Sequence, residues 1–208
     1  MPRKPDAQLE GRILDAAYKL WSAGGEEGLK MREVARAAGT TAPTVYQRFR
    51  NKGVLLEVLR RRAQERLVAS VETAKSLSDL CERYFEFALG HKHEYKLIHT
   101  DWGVRLAKDE PRPSFELLKR RLAERLGGPP EQHVRLALAL AALAHGTAEI
   151  LLPEGVHWRI NRELRDVCVH AWESLVQHAR EAGLSAKNSR LHTTRGNRSP
   201  VESVQPSL

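Results

Sequence analysis

At 208 residues and 23.5 kDa, with 41% hydrophobic residues, the chain can bury a substantial core as one compact unit or as a small domain beside a larger one. Its net charge of +8 is unevenly spread, with 13 basic and 7 acidic residues in 1–62, 17 and 18 in 63–183, and 4 and 1 in 184–208. A basic N-terminal module on a near-neutral body fits a part that neutralises phosphates joined to a part with another task, a partition that a merely basic surface does not produce. The N-terminus has no apolar leader and no run approaches the roughly 18 apolar residues of a spanning helix, so we expect a cytoplasmic protein with no membrane partner.

Pro2 and Pro5 keep the first residues out of helix and leave Arg3 and Lys4 on a basic arm, which either reaches a phosphate or minor groove or simply frays. Asp6 can cap a first helix whose Leu9, Ile13, Ala16, Ala17 and Leu20 share one side and which ends at Gly24-Gly25, with Leu29 in the same small core. From Met31 to Lys52 two short apolar stripes follow. Val34, Ala35 and Ala38 mark one helix, and Val45 with Phe49 marks a second at i, i+4. Gly39 supplies the left-handed residue between them, Thr41 a cap and Pro43 a first-turn residue. The second helix turns Thr44, Gln47 and Arg48 outward and has the size and polarity to enter a major groove, although spacing alone equally suits an ordinary αα-hairpin. Lys52 then sits in the first turn of a long helix, where a cation opposes the macrodipole unless an anion docks there on free amides beside an Asn51 cap.

The run from Ala38 through Tyr46, then Phe49, Lys52 and Leu55-Leu56, closely resembles the helix-turn-helix signature of the TetR family of transcriptional regulators. Two positions depart from the pattern. Lys30 stands where a Ser or Thr usually caps the first helix of the pair, and Arg48 where His is common. The resemblance implies an all-α fold, with a three-helix DNA-binding module over residues 1–52 and a helical effector-binding and dimerisation domain over 53–184. It makes Thr40, Thr41, Ala42, Pro43, Thr44, Tyr46, Gln47, Arg48 and Lys52 the candidate DNA contacts. Thr41, Ala42, Thr44 and Gln47 face base edges or nearby sugar, Arg48 a base or a phosphate, and Tyr46 and Lys52 the backbone. The function expected is that of a ligand-responsive homodimeric repressor on double-stranded operator DNA. The alternative is a helical small-molecule-binding or interaction protein with only nonspecific DNA affinity.

The helix from Lys52 continues through Val54, Leu55, Val58, Leu59, Ala63, Leu67, Val68 and Val71, and its Arg60-Arg61-Arg62 is read as a solvated face. From Ser78 every segment reads as helix: Leu80, Tyr84, Phe87 and Ala88; then Tyr95, Ile98, Trp102 and Leu106; then Phe115 to Leu126 after the break at Pro111 and Pro113. The next helix carries nine successive apolar residues, Leu136 to Ala144, and the last carries Ile160, Leu164, Val167, Cys168, Ala171, Leu175 and Ala179. Two such helices are best covered by a twofold partner. The AlaHisGlyThrAla phrase at Ala144 to Ala148 also resembles a segment of TetR-type C-terminal domains. Residues 185–208 are polar and aperiodic, and are expected to be a disordered tail.

Tyr84, Phe85, Phe87, Tyr95, Trp102 and Phe115 gather in the middle helices, with His99 and His145 able to add polar groups, so the candidate effector pocket is Tyr84, Phe87, Tyr95, His99, Trp102, Phe115 and His145. Each of these is equally at home in a packed core. Cys81 and Cys168 have no metal spacing and read as reduced, buried thiols. His91-Lys92-His93 puts its imidazoles at i, i+2, which do not share a helix face, and no catalytic motif is present, so neither metal, cofactor nor catalysis is expected.

Overall fold

The computed structural model describes residues 7–100, 110, 112–179, 181 and 184, and the described residues contain helices and no strand. The helices are α1 (Ala7–Gly28), α2 (Met31–Ala37), α3 (Ala42–Phe49), α4 (Lys52–Glu72), α5 (Leu77–Gly90), α6 (Lys92–His99), α7 (Pro113–Leu126), α8 (Val134–Leu151) and α9 (Trp158–Gln177). A 3₁₀ turn, Pro130–His133, leads into α8. The basic arm, Asp6, Trp102, Leu106 and the 185–208 tail lie outside the described residues.

Two hydrophobic cores form. Ile13, Ala17 and Trp21 of α1 pack with Leu29, Val34, Val45 and Phe49 in the first. Phe85, Leu118, Leu122, Leu136, Leu140 and Trp172 centre the second. α4 belongs to both, because its buried row at i, i+4 puts Leu55 and Leu59 in the first and Ala63, Leu67 and Val71 in the second. The first core therefore extends past residue 52 into the long helix. Val54, expected on the buried stripe, is 41% exposed, since it lies off that row.

α1 does not stop at Gly24-Gly25. It kinks at Gly25, which has φ +57°, and runs one more turn to Gly28. Gly25 is required there twice over, because a Cβ would also meet His93 Nδ1 at 2.7 Å. This close approach lets α6 lie against α1, where the Trp21 indole donates to the His93 carbonyl at 3.0 Å.

A polar cluster sits where α1, α4 and α6 meet. Glu94 of α6 is 2% exposed and accepts from Ser22 Oγ at 2.7 Å, with Arg66 Nη1 of α4 at 3.7 Å. Arg66 also donates to the Tyr18 hydroxyl at 2.7 Å, whose pKa is pushed well up by burial and the neighbouring Glu94 carboxylate. The Arg60 to Arg62 run is a solvated face only at Arg61: Arg60 is buried and paired with Glu57, and Arg62 binds Asp15 at 2.6 Å with its guanidinium over Tyr18. α4 crosses α1 at this point, so α1 supplies the partners of Arg62.

In the body, the single stripe read along α9 is two faces. Cys168, Trp172 and Val176 point inward, whereas Ile160 and Val167 are 51% and 60% exposed. Cys81 of α5 and Cys168 are buried and hydrogen-bonded to each other, and that contact together with burial pushes the Cys81 thiol up. Pro130–Leu151 is long and apolar enough to cross a membrane by length and composition, with mean hydropathy 1.5, contrary to the expectation from unbroken apolar runs, because averaging tolerates its few polar residues. Its inner row, Leu136, Leu140, Ala144 and Ala148, is buried in the second core.

Replacing Glu94 by Ala strands the Ser22 hydroxyl and frees Arg66, so a loss of about 1–3 kcal/mol is expected, read as a lower urea midpoint, with Ser22→Ala losing about 1 kcal/mol.

Candidate DNA-reading surface and effector cavity

The reading surface is built by its caps. Ala38 closes α2 with Gly39 at φ +66°, and Thr40 N donates back to Ala35 O at 2.9 Å. Thr41 then opens α3, its Oγ accepting from Thr44 N at 3.4 Å and lying 2.9 Å from Thr44 Oγ, with Pro43 in the first turn. Val45 and Phe49 point into the first core, which fixes the rotation of α3 and leaves Thr41, Pro43, Tyr46 and Gln47 exposed and Thr40, Ala42 and Thr44 half-buried. Tyr46 is 48% exposed, one of the few large aromatic or aliphatic side chains turned out among the described residues. Lys30 precedes α2 without a side-chain cap.

Two of the candidate cations are occupied. Arg48 is half-buried, 3.7 Å from Glu10 of α1, rather than turned freely outward with Gln47. Asn51 Oδ1 caps α4 by accepting from Val54 N at 2.9 Å, but the Lys52 ammonium turns to Glu26 instead of standing clear over the helix start, 3.2 Å from its carbonyl and 3.5 Å from its carboxylate. The physical reason is the kink in α1: its last turn brings the Glu26 carbonyl, which also accepts from Leu29 N–H at 3.3 Å, and the Glu26 carboxylate beside the start of α4, and the helix C-terminus and the acid both attract a cation. Arg50, in the turn between α3 and α4, has φ +52°, the one positive φ among the described non-glycine residues.

In the body, a cavity of about 420 Å³ opens between α4, α5, α7, α8 and α9, with His99 of α6 at its edge. Of the seven expected residues, Tyr84, His99, Phe115 and His145 line it. Tyr95 stands behind them, fully buried and hydrogen-bonded to Tyr84 and His145, and Phe87 packs in the core with His91 at 5.1 Å. Trp102 lies outside the described residues. Leu67 and Val71 of α4 and Trp172 of α9 also line it and were not expected. The α4 stripe was legible, but which of its residues meet a cavity depends on how the helices pack.

The polar end is a connected set. Tyr84 Oη lies 3.1 Å from His99 Nε2 and 3.3 Å from Tyr95 Oη, and Tyr95 Oη is bonded to His145 Nδ1. The His99 and His145 rings stack at 4.4 Å. Burial and the neighbouring His145 pull the His99 pKa down to about 3, burial lowers that of His145 against the opposing effect of Glu149, and burial raises both tyrosines. Both imidazoles are neutral at pH 7. Among the described residues no group of three or more His, Cys, Asp and Glu is placed to hold a metal ion.

A short helix pair on a braced basic module, followed by a helical body enclosing an apolar cavity, is the build of a ligand-responsive helix-turn-helix regulator. Residues 13–59 match the family described as bacterial regulatory proteins, tetR family, and residues 77–179 match the tetracyclin repressor-like C-terminal domain. The chain belongs to the TetR family of transcriptional regulators. No curated protein matches by sequence. Solved structures share the fold: a protein with unknown function from Rhodococcus sp. RHA1 (22% identity, 89% of this chain and 100% of that one, TM-score 0.61); a TetR-family transcriptional regulator from Streptomyces coelicolor (24%, 81% and 99%, TM-score 0.58); and a TetR variant from Acinetobacter baumannii AYE in complex with minocycline (18%, 86% and 98%, TM-score 0.55).

His99 also sets a pH dependence. The unfolded chain takes up this proton near pH 6.5 and the folded chain only at about 3, so between those values the unfolded state binds more protons and stability falls as pH falls. Thermal melts from pH 7 to pH 4 are expected to show a shallower decline for His99→Phe than for the parent.

Proposed function

We propose that the protein is a homodimeric repressor that leaves its operator when a small molecule fills the cavity. The observation that carries this is the course of α4, which starts at the reading surface with Lys52 and lines the cavity with Leu67 and Val71. A ligand that favours one position of α4 changes where the reading head stands, provided its affinity differs between the two positions. That a TetR variant of the same fold forms a complex with minocycline supports a small-molecule ligand for this chain.

The dimer reading rests on exposed apolar surface. Of the seven large hydrophobic residues that are exposed among the described residues, five, Leu143, Ile150, Trp158, Ile160 and Val167, lie on α8 and α9. Leu143 and Ile150 are one heptad apart, as are Ile160 and Val167, so each helix presents a strip to a partner rather than scattered residues. A twofold axis there would set two α3 helices on successive major-groove faces of a roughly palindromic site. Thr41, Ala42, Thr44 and Gln47 would then meet base edges or sugar, with Thr40 and Pro43 beside them and Tyr46 on the backbone. Arg48 and Lys52 reach phosphate by exchanging Glu10 and Glu26 for it, a swap in which each cation keeps an anionic partner.

A selection of bound sequences from random DNA is expected to return an inverted repeat. On it, Lys52→Ala should weaken binding to all sequences and lower the salt slope by about one unit per half-site, whereas Gln47→Ala should change base preference. Val167→Glu should give monomers in sedimentation and weaken operator binding by at least about tenfold, through lost dimerisation. A dimeric Val167→Glu protein would move the interface elsewhere.

A further inference from the structure

The cavity walls limit what can enter. Among the described residues that line it there is no Asp, Glu, Lys or Arg, so a permanently charged ligand would surrender its hydration to a lining without an ionised side chain, and of the cations behind Phe115, Lys119 is already paired with Glu116 at 2.7 Å. The aromatic walls do not replace one. The Phe115 ring already carries the Arg112 guanidinium at 4.8 Å and the Lys119 ammonium at 5.8 Å, so a further cation would meet like charge. The Trp172 N–H is spent on the Leu140 carbonyl at 3.0 Å. Hydrogen bonding to a ligand is left to the tyrosine–histidine end, with the Ser114 hydroxyl as the remaining polar side chain on the described lining.

Counting donors gives that end a direction. Tyr84 donates to Tyr95 at 3.3 Å, so the Tyr84 oxygen accepts from His99 Nε2–H at 3.1 Å. Tyr95 Oη, which accepts from Tyr84, has two acceptors in reach, His145 Nδ1 and the more distant His145 carbonyl at 3.5 Å; giving its proton to the nearer one, Nδ1, places the His145 proton on Nε2. Each hydroxyl gives one hydrogen bond and takes one, and both imidazoles carry a single proton. The donor left over where the chain meets the cavity is His145 Nε2–H.

On the reading that this cavity is the effector site, we infer that it selects an uncharged, largely apolar molecule of roughly 15–20 non-hydrogen atoms whose one polar group is a carbonyl acceptor, of the ketone, ester or quinone kind, seated against His145. Charged relatives of the same shape are excluded by the walls, and a purely hydrocarbon one leaves the His145 donor buried without a partner.

Titration calorimetry of the full chain with four probes that share a hexylphenyl body tests this: 4′-hexylacetophenone, hexylbenzene, 4-hexylbenzoate and 4-hexylphenyl-trimethylammonium. The ketone is expected to bind at least about tenfold tighter than each of the others, a ranking that needs no variant. His145→Phe should bring the ketone within about threefold of hexylbenzene while hexylbenzene itself still binds, which shows the cavity intact. Leu138→Trp should abolish binding of all four by filling the space. A charged probe that binds as tightly as the ketone, a ketone preference that survives in His145→Phe, or no binding by any probe overturns the inference. A ketone that binds as expected but leaves operator affinity unchanged sinks the effector reading and spares the cavity chemistry. A charged probe that wins and releases operator does the reverse.

Discussion

One buried ridge holds the molecule together. Leu55, Leu59, Ala63, Leu67 and Val71 recur along α4 at i, i+4, and the row passes from the first core into the second without a break. Neither core could be rotated about α4 without exposing its share of the row, so the reading head and the body are set in register by the same hydrophobic burial that stabilises each. The helix is stiff over the roughly 28 Å between Lys52 and Val71, so a displacement at one end is delivered to the other rather than absorbed by a loop. Ala63 lies among the first of these residues to belong to the body, and its small side chain lets neighbouring helices approach α4 closely.

A second tie reinforces the first, and it is polar. Glu94 brings a carboxylate into a nearly waterless junction and is tolerated because Ser22, Tyr18 and Arg66 converge on it from α1 and α4. Apolar packing would hold the three helices in many similar ways, whereas the contacts of Glu94 Oε1 with Ser22 and Arg66 form only in one. The next residue, Tyr95, belongs to the hydrogen-bond chain of the cavity. Two consecutive residues of α6 are thus fixed in different networks, one at the junction with the reading module and one at the ligand end.

Much of this was legible because the signals of the reading module are local. Gly39, Thr41 and Asn51 act on groups within a few residues of themselves, so their conformations follow from neighbours in sequence. What sequence did not show is where long side chains go. Lys52, Arg48 and Arg62 each found an acid on α1, far away along the chain, and the Arg60 to Arg62 run therefore looked solvated. The cavity was half legible. Tyr84, His99, Phe115 and His145 announced themselves as aromatic and polar groups among aliphatics, but Leu67, Val71 and Trp172 look like any core residues until the packing is known. In α9 the outward and inward rows lie close enough on the helix that periodicity merged them, and the same packing brought Cys81 and Cys168 into contact.

The tryptophans have a consequence for how the molecule can be watched. Trp21 is buried at the junction of α1 and α6, with its indole on the His93 carbonyl. Trp172 forms part of the cavity wall, and Trp158 is 63% exposed at the start of α9, on the face proposed for the partner. Each working region of the described chain thus carries its own fluorophore in a different polarity. Removing them one at a time would turn the emission spectrum into separate reporters of the reading module, the cavity and the subunit contact, without any label attached.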